Sequence, residues 1–151
     1  MRTFAEGRND VSVLLDDIAG YGEMTMSAPA SETDLQGCSE LLGHPLPSPL
    51  VELLRESDGI VGEYGQGLLW TVSRVAQDNH LFRTDASFRE LYMSFDDMVF
   101  FADAGNGDQF AVSTRGPGDV FVWNHEDDSR IWVAPTPIDY LRRWMNGDLK
   151  V

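Results

Sequence analysis

Apolar residues recur at three- and four-residue steps early in the chain, then run together or alternate after Gly67. Val11, Leu14, Leu15 and Ile18 mark one face of a short helix, with Asp10 as N-cap and Gly20 as stop. A second helix is predicted over residues 31–42, turning Leu35, Cys38, Leu41 and Leu42 inward. Ser31 can cap it, Asp34 is the reciprocal partner, and Gly43 ends it. Ser48 is the expected cap of a third helix whose apolar face is Leu50, Leu53 and Leu54. Pro49 suits its first position, where a missing N–H loses no bond, and Gly59 is the expected terminator. Residues 20–31 mix glycine, proline and small side chains and are expected to be flexible.

Residues 68–75 are rich in large and β-branched side chains and read as a strand. Residues 86–92 suit a short helix. Four further strands are predicted, over 98–102, 109–113, 119–123 and 129–134. Gly105-Asn106-Gly107-Asp108, Arg115-Gly116-Pro117-Gly118 and the polar residues 124–128 supply the turns between them. Such short connections imply an antiparallel meander. Val99, Phe100 and Phe101 leave no polar side, so their strand should be buried on both faces. Thr136, Pro137 and Asp139 open a closing helix striped by Ile138, Leu141, Trp144 and Met145 and stopped by Gly147. Helices, then an antiparallel sheet, then a helix make an α+β fold.

Composition narrows the function. The 151 residues carry one cysteine and a net charge of −14, with 25 acidic against 11 basic side chains. A chain this acidic repels nucleic acid, whose binding needs Lys and Arg on phosphates. It favours a basic protein partner through steering and charge matching. Cys38 alone excludes a disulfide framework and a cysteine-based zinc site; on an inward helical face it reads as buried and inert. No apolar run approaches the roughly 18–20 residues of a membrane span, and the first residues lack an apolar signal region. A soluble cytoplasmic protein is the expectation, and no cofactor is implied.

The motifs of phosphate-binding loops, dinucleotide folds, serine hydrolases and zinc proteases are absent. His44 precedes Pro45 in a loop and His80 reads as part of a solvated turn. His125 stands beside Glu126, Asp127 and Asp128. A solvated hairpin tip is the plainest account, and an acidic recognition loop is the functional one. A divalent-metal site is disfavoured, because neighbours in one turn rarely converge on an ion. Residues 103–108 superficially suit calcium, but glycines occupy positions that need oxygen ligands. Asp103 and Asp108 are instead expected to bond the turn's backbone. A hydrolase using His125 with Asp103 or Asp108 would require them within hydrogen-bond reach around a pocket. Phe121, Trp123 and Trp132 would form an exposed patch if helices leave one sheet face open. Tyr64, inside Gly62-Glu63-Tyr64-Gly65-Gln66-Gly67, is either an exposed aromatic or part of a plain connector.

In their order, several segments resemble the SMI1/KNR4 family, or SUKH superfamily. They are Glu40-Leu41-Leu42-Gly43 followed by Leu46-Pro47 and Leu50, then Ser57-Asp58-Gly59. Phe101-Ala102 leads through the Gly105–Asp108 turn to Phe110, and Val120-Phe121-Val122-Trp123 is followed by His125-Glu126. Ile138-Asp139-Tyr140-Leu141 closes the set. The resemblance starts at Asp10, so residues 1–9 read as a tail and 10–151 as one domain. It implies a SUKH-like α+β fold, a mostly antiparallel sheet flanked by N-terminal helices and a C-terminal helix.

The resemblance also implies a non-catalytic binding protein. Bacterial members look mostly like immunity proteins that neutralise a cognate polymorphic toxin, often a nuclease or deaminase. Fungal relatives act as regulatory interaction proteins, which leaves a scaffolding module without a toxin as the alternative. A basic toxin site would attract this acidic chain. Glu126, Asp127 and Asp128 can then mimic phosphates, with Trp123 or Tyr64 as aromatic anchor and His125 beside them.

Overall fold

The computed structural model describes residues 10–19 and 24–149. The tail 1–9, the Gly20 stop and the side chains of Val11, Leu14 and Ile18 lie outside what is described. The helices are α1 (Asp10–Ala19), α2 (Glu32–Leu42), α3 (Ser48–Glu56), α4 (Val72–Thr84), α5 (Ala86–Leu91) and α6 (Pro137–Asn146). Strands β1 (Thr25–Met26), β2 (Ile60–Val61) and β3 (Gly67–Leu69) form a small antiparallel sheet. Strands β4 (Met98–Asp103), β5 (Gln109–Ser113), β6 (Val120–Trp123) and β7 (Arg130–Ala134) form the predicted antiparallel meander. Trp70 N–H donates to Phe101 O at 2.7 Å and joins the two sheets.

The first strand of the meander, β4, is covered on both sides. Consecutive strand residues point to opposite faces, and Phe100 and Phe101 use this fully. Phe100 meets Phe82 of α4, Phe95 and Trp123 at centroid distances of 5.1–5.5 Å. Phe101 and Phe110 meet Tyr140 of α6, whose hydroxyl donates to Leu68 O at 3.1 Å. Phe100 and Phe101 are 0 % exposed; burying such a side chain contributes about 1.5–3 kcal/mol. Asn79 of α4 is buried too. Its amide bonds Val75 O and Phe100 O and accepts from Phe100 N–H, each at 2.8 Å, pinning helix to strand.

Ser31, Thr71 and Thr136 each cap a helix by accepting the N–H three residues on. At the expected Thr136–Asp139 capping box, Thr136 Oγ1 accepts from Asp139 N–H and donates to the Asp139 carboxylate, so the two side chains meet without the reciprocal bond to the Thr136 N–H.

Several sequence expectations are corrected. Residues 68–75 are not one strand: β3 ends at Leu69, and the Thr71 cap starts α4. Val72 and Val75 are buried on a helical face, where their spacing of three also fits. His80, expected in a turn, is an exposed residue of α4. Ser48 is the first residue of α3 rather than its cap, which is Pro47, and the helix is closed by Ser57 rather than by Gly59. Gly59 instead adopts φ 98°, with Thr71 Cγ2 3.1 Å from where a Cβ would lie. Leu41, expected inward, is 46 % exposed. Tyr140, missed from the closing stripe, is its most buried member at 0 %. Within the segment expected to be flexible, Thr25–Met26 pairs with β2 and Ala30 N–H donates to Leu54 O.

Candidate functional site

Three turns meet at one end of the sheets: residues 62–67, 104–108 and 124–129. The first is a tight 3₁₀ turn, Glu63–Gly65, closed by Gly62 N–H donating to Gln66 O at 2.8 Å. Tyr64 sits there at φ 57° and is 96 % exposed. A side chain at positive φ costs about 1–2 kcal/mol, and this one recovers nothing by packing.

Gln66 ties this turn to the second by donating to Asp103 O at 3.2 Å. The second turn needs its glycines, since Gly105 and Gly107 have φ of 92° and 93°. His125 fills the space beside Gly107, its Cε1 2.9 Å from where a Cβ would lie. Its Nδ1–H donates to Asp108 Oδ1 at 2.7 Å, and its backbone N–H reaches the same oxygen at 3.2 Å. The Asp108 carboxylate thus bonds the neighbouring loop, while its backbone closes its own turn with Ala104 N–H and Asn106 Oδ1. Asp103 does not bond its turn through its carboxylate either. It receives a bidentate pair from Arg74, Nη1 to Oδ2 at 2.9 Å and Nη2 to Oδ1 at 3.0 Å.

The third turn divides into an inner and an outer half. Trp123 is buried, packed on Tyr92, Phe95 and Phe100, and its Nε1–H donates to Asp128 Oδ1 at 2.7 Å. Asp128 also accepts from Met93 N–H at 2.9 Å and Arg130 Nη2 at 3.1 Å, and has φ 61°. Burial alone would raise its pKa, but these bonds and the Arg130 charge outweigh it and hold the carboxyl below the usual range. Glu126 and Asp127 are exposed. Asp127 accepts from Ser129 N–H at 2.9 Å, which lowers its pKa.

The six candidate residues therefore separate. Trp123 has no surface to offer as an anchor, and Asp128 spends its oxygens on three donors. The proposed aromatic patch fails with Trp123; Phe121 is half-buried, and only Trp132 is well exposed, at 47 %. Tyr64, Glu126 and Asp127 are outward-facing, and the 104–108 turn joins their two loops through Gln66 and His125. Between the first two turns lies a cavity of about 410 Å³ lined by Glu63, Tyr64, Gln66, Asp103, Gly105, Gly107, Asp108 and Gln109. Gln109 Oε1 is buried there without a hydrogen-bond partner.

Sequence reasoning missed Glu63, Gln66 and Gln109, and it missed Arg74 as the partner of Asp103. No local signal pairs Arg74 with a carboxylate 29 positions away.

His125 and Asp108 meet the distance that hydrolysis would need, whereas Asp103 is committed to Arg74. The adjacent cavity is lined by no serine, threonine, cysteine or lysine to act as nucleophile. Among the described residues no group of three or more His, Cys, Asp or Glu side chains is placed to hold a metal. Cys38 is buried in α2, which pushes its thiol up to about 11. No described helix is long and apolar enough to cross a membrane.

The architecture is that of a mixed α+β domain with antiparallel sheets and helices at both ends. The sequence profile of the SMI1 / KNR4 family (SUKH-1) matches residues 29–143, and the chain belongs to that family. At family level, membership supports an immunity-like protein-binding domain, in a family of generally non-catalytic proteins. No curated protein matches the chain. Helix α1 precedes the matched span but is tied to it, Ser12 Oγ donating to Glu56 Oε1 at 2.7 Å.

Proposed function

We propose that residues 10–151 form one SUKH domain that acts in the bacterial cytoplasm as an immunity protein. It binds a cognate polymorphic toxin of the nuclease or deaminase type through the three-turn rim and blocks its basic face. Family membership supports the class of function. Tyr64 is the observation that carries the location: an almost fully exposed aromatic held at positive φ, which folding does not require. Beside it Glu63 adds an exposed carboxylate, and Glu126 and Asp127 add two more on the far turn. An aromatic anchor within a field of carboxylates suits an arginine- or lysine-rich partner. His125 contributes by fixing the third turn against the second, and Trp123 and Asp128 by holding that turn from inside.

The test is capture from native lysate with the tagged chain, followed by an activity assay. The expected result is a basic domain with nuclease or deaminase activity that a stoichiometric amount of this protein abolishes. Undiminished activity of the captured domain at saturating protein would contradict the reading. A non-toxic regulatory partner in its place would favour the scaffolding alternative.

A further inference from the structure

A second cavity, of about 280 Å³, opens where α4, α5 and the following loop meet. It backs onto the 124–129 turn, to which its wall residues Tyr92 and Met93 donate hydrogen bonds at His125 O and Asp128 Oδ2. Phe82, Phe88, Tyr92 and Phe95 give it aromatic walls, and Arg83, Arg89 and Asp96 bring charge. Two guanidiniums against one carboxylate leave it net positive, in a chain whose overall charge is −14. Arg55, Arg74, Arg115, Arg130 and Arg142 each pair with a carboxylate. Among the described residues Arg83, Arg89 and Arg143 do not, and the first two line this one cavity.

Arg83 is half-buried and only partly satisfied. Nη1 reaches Leu42 O at 3.4 Å and His44 Nε2 at 2.8 Å, and Nη2 donates to Met98 O at 3.0 Å. Its Nε–H is buried without an acceptor. A guanidinium has five N–H donors and no acceptor, and no carboxylate here takes a direct hydrogen bond from this one. Loss of water around Arg83 lowers its pKa, and the nearby Asp96 and Asp97 charges offset that loss only in part. Arg89 is exposed, at the open side.

We propose that this cavity is a binding site for a small aryl carboxylate, its ring against the aromatic walls and its carboxylate between Arg83 and Arg89. The volume suits one ring and a short acid arm. A bound carboxylate would give the two unpaired guanidiniums a charge-assisted partner.

The probe is 3-phenylpropionate, titrated into the full chain while backbone amide NMR shifts are followed. A ligand this small should bind with a dissociation constant on the order of 1 mM. Saturable shifts are expected at Phe88, Tyr92, Met93 and Ser94. The neutral analogue 3-phenylpropanamide should bind about tenfold more weakly, since it lacks the charge-assisted bonds. Arg83→Met should abolish binding but also removes bonds to Leu42, His44 and Met98, so its fold needs checking. Arg89→Gln alters an exposed residue and should weaken binding by about threefold to tenfold. The proposal is overturned if no saturable shift appears by about 10 mM, if the amide binds as well as the acid, or if Arg89→Gln leaves affinity unchanged.

Discussion

The turns 62–67 and 124–129 are neighbours through the 104–108 turn, yet they are built on opposite plans. In the 124–129 turn most side chains serve the fold. Asn124 Oδ1 accepts from Glu126 N–H, Asp127 from Ser129 N–H, and Asp128 from three separate donors. In the 62–67 turn the backbone closes itself, and Tyr64 packs on nothing. The contrast shows that acidity in sequence overstates the charge free for recognition. Asp128 reads like Glu126 and Asp127 in the sequence, but its oxygens are fully engaged.

The largest effect expected from this difference is at Asp128. Asp128→Ala leaves the Trp123 Nε1–H, the Met93 N–H and the half-buried Arg130 short of a partner. It should cost about 2–4 kcal/mol, measured by urea unfolding. A loss below about 0.5 kcal/mol would erase the distinction between the two turns.

A second effect is pH-dependent. The folded Asp128 carboxyl is depressed, so the stability it contributes is complete above its unfolded value of about 4. It is lost as pH falls through the lower folded value. The acid limb of stability against pH should therefore be shallower in Asp128→Asn than in the parent chain. Parallel acid limbs would contradict the role given to this carboxylate.

At Tyr64 the sign reverses. Tyr64→Gly relieves positive φ and should raise stability by up to about 1 kcal/mol, after the entropy glycine costs, while weakening partner binding. A destabilised glycine variant would mean that Tyr64 serves the fold. The smallest effect belongs to Glu126→Gln with Asp127→Asn, which should leave the urea midpoint unchanged but reduce the salt dependence of association.

The meander and the closing helix were legible because their signals are local. Glycines mark the 104–108 turn, Thr136 marks a helix N-cap, and Phe100 and Phe101 exclude a wet face. Helix α4 was misread because Val72 and Val75 fit a strand by composition and a helix by spacing. The deciding residues were the Thr71 cap and Asn79, whose partner Phe100 lies 21 positions away. Strand β2 was invisible, since two residues carry no period. In the candidate site, Tyr64, Glu126 and Asp127 were readable as a polar, glycine-rich surface. The burial of Trp123 was not, because Tyr92, Phe95 and Phe100 arrive from other elements.

The central claim is that the three-turn rim is the binding face. The most direct measurement is the affinity of the captured partner for the parent chain and two variants. One variant combines Glu63→Gln, Tyr64→Ala, Glu126→Gln and Asp127→Asn; the other is Leu41→Ala, on exposed α2. The account predicts a loss of at least about 100-fold for the rim variant and none for Leu41→Ala. An unchanged affinity in the rim variant, with its fold intact, would contradict it.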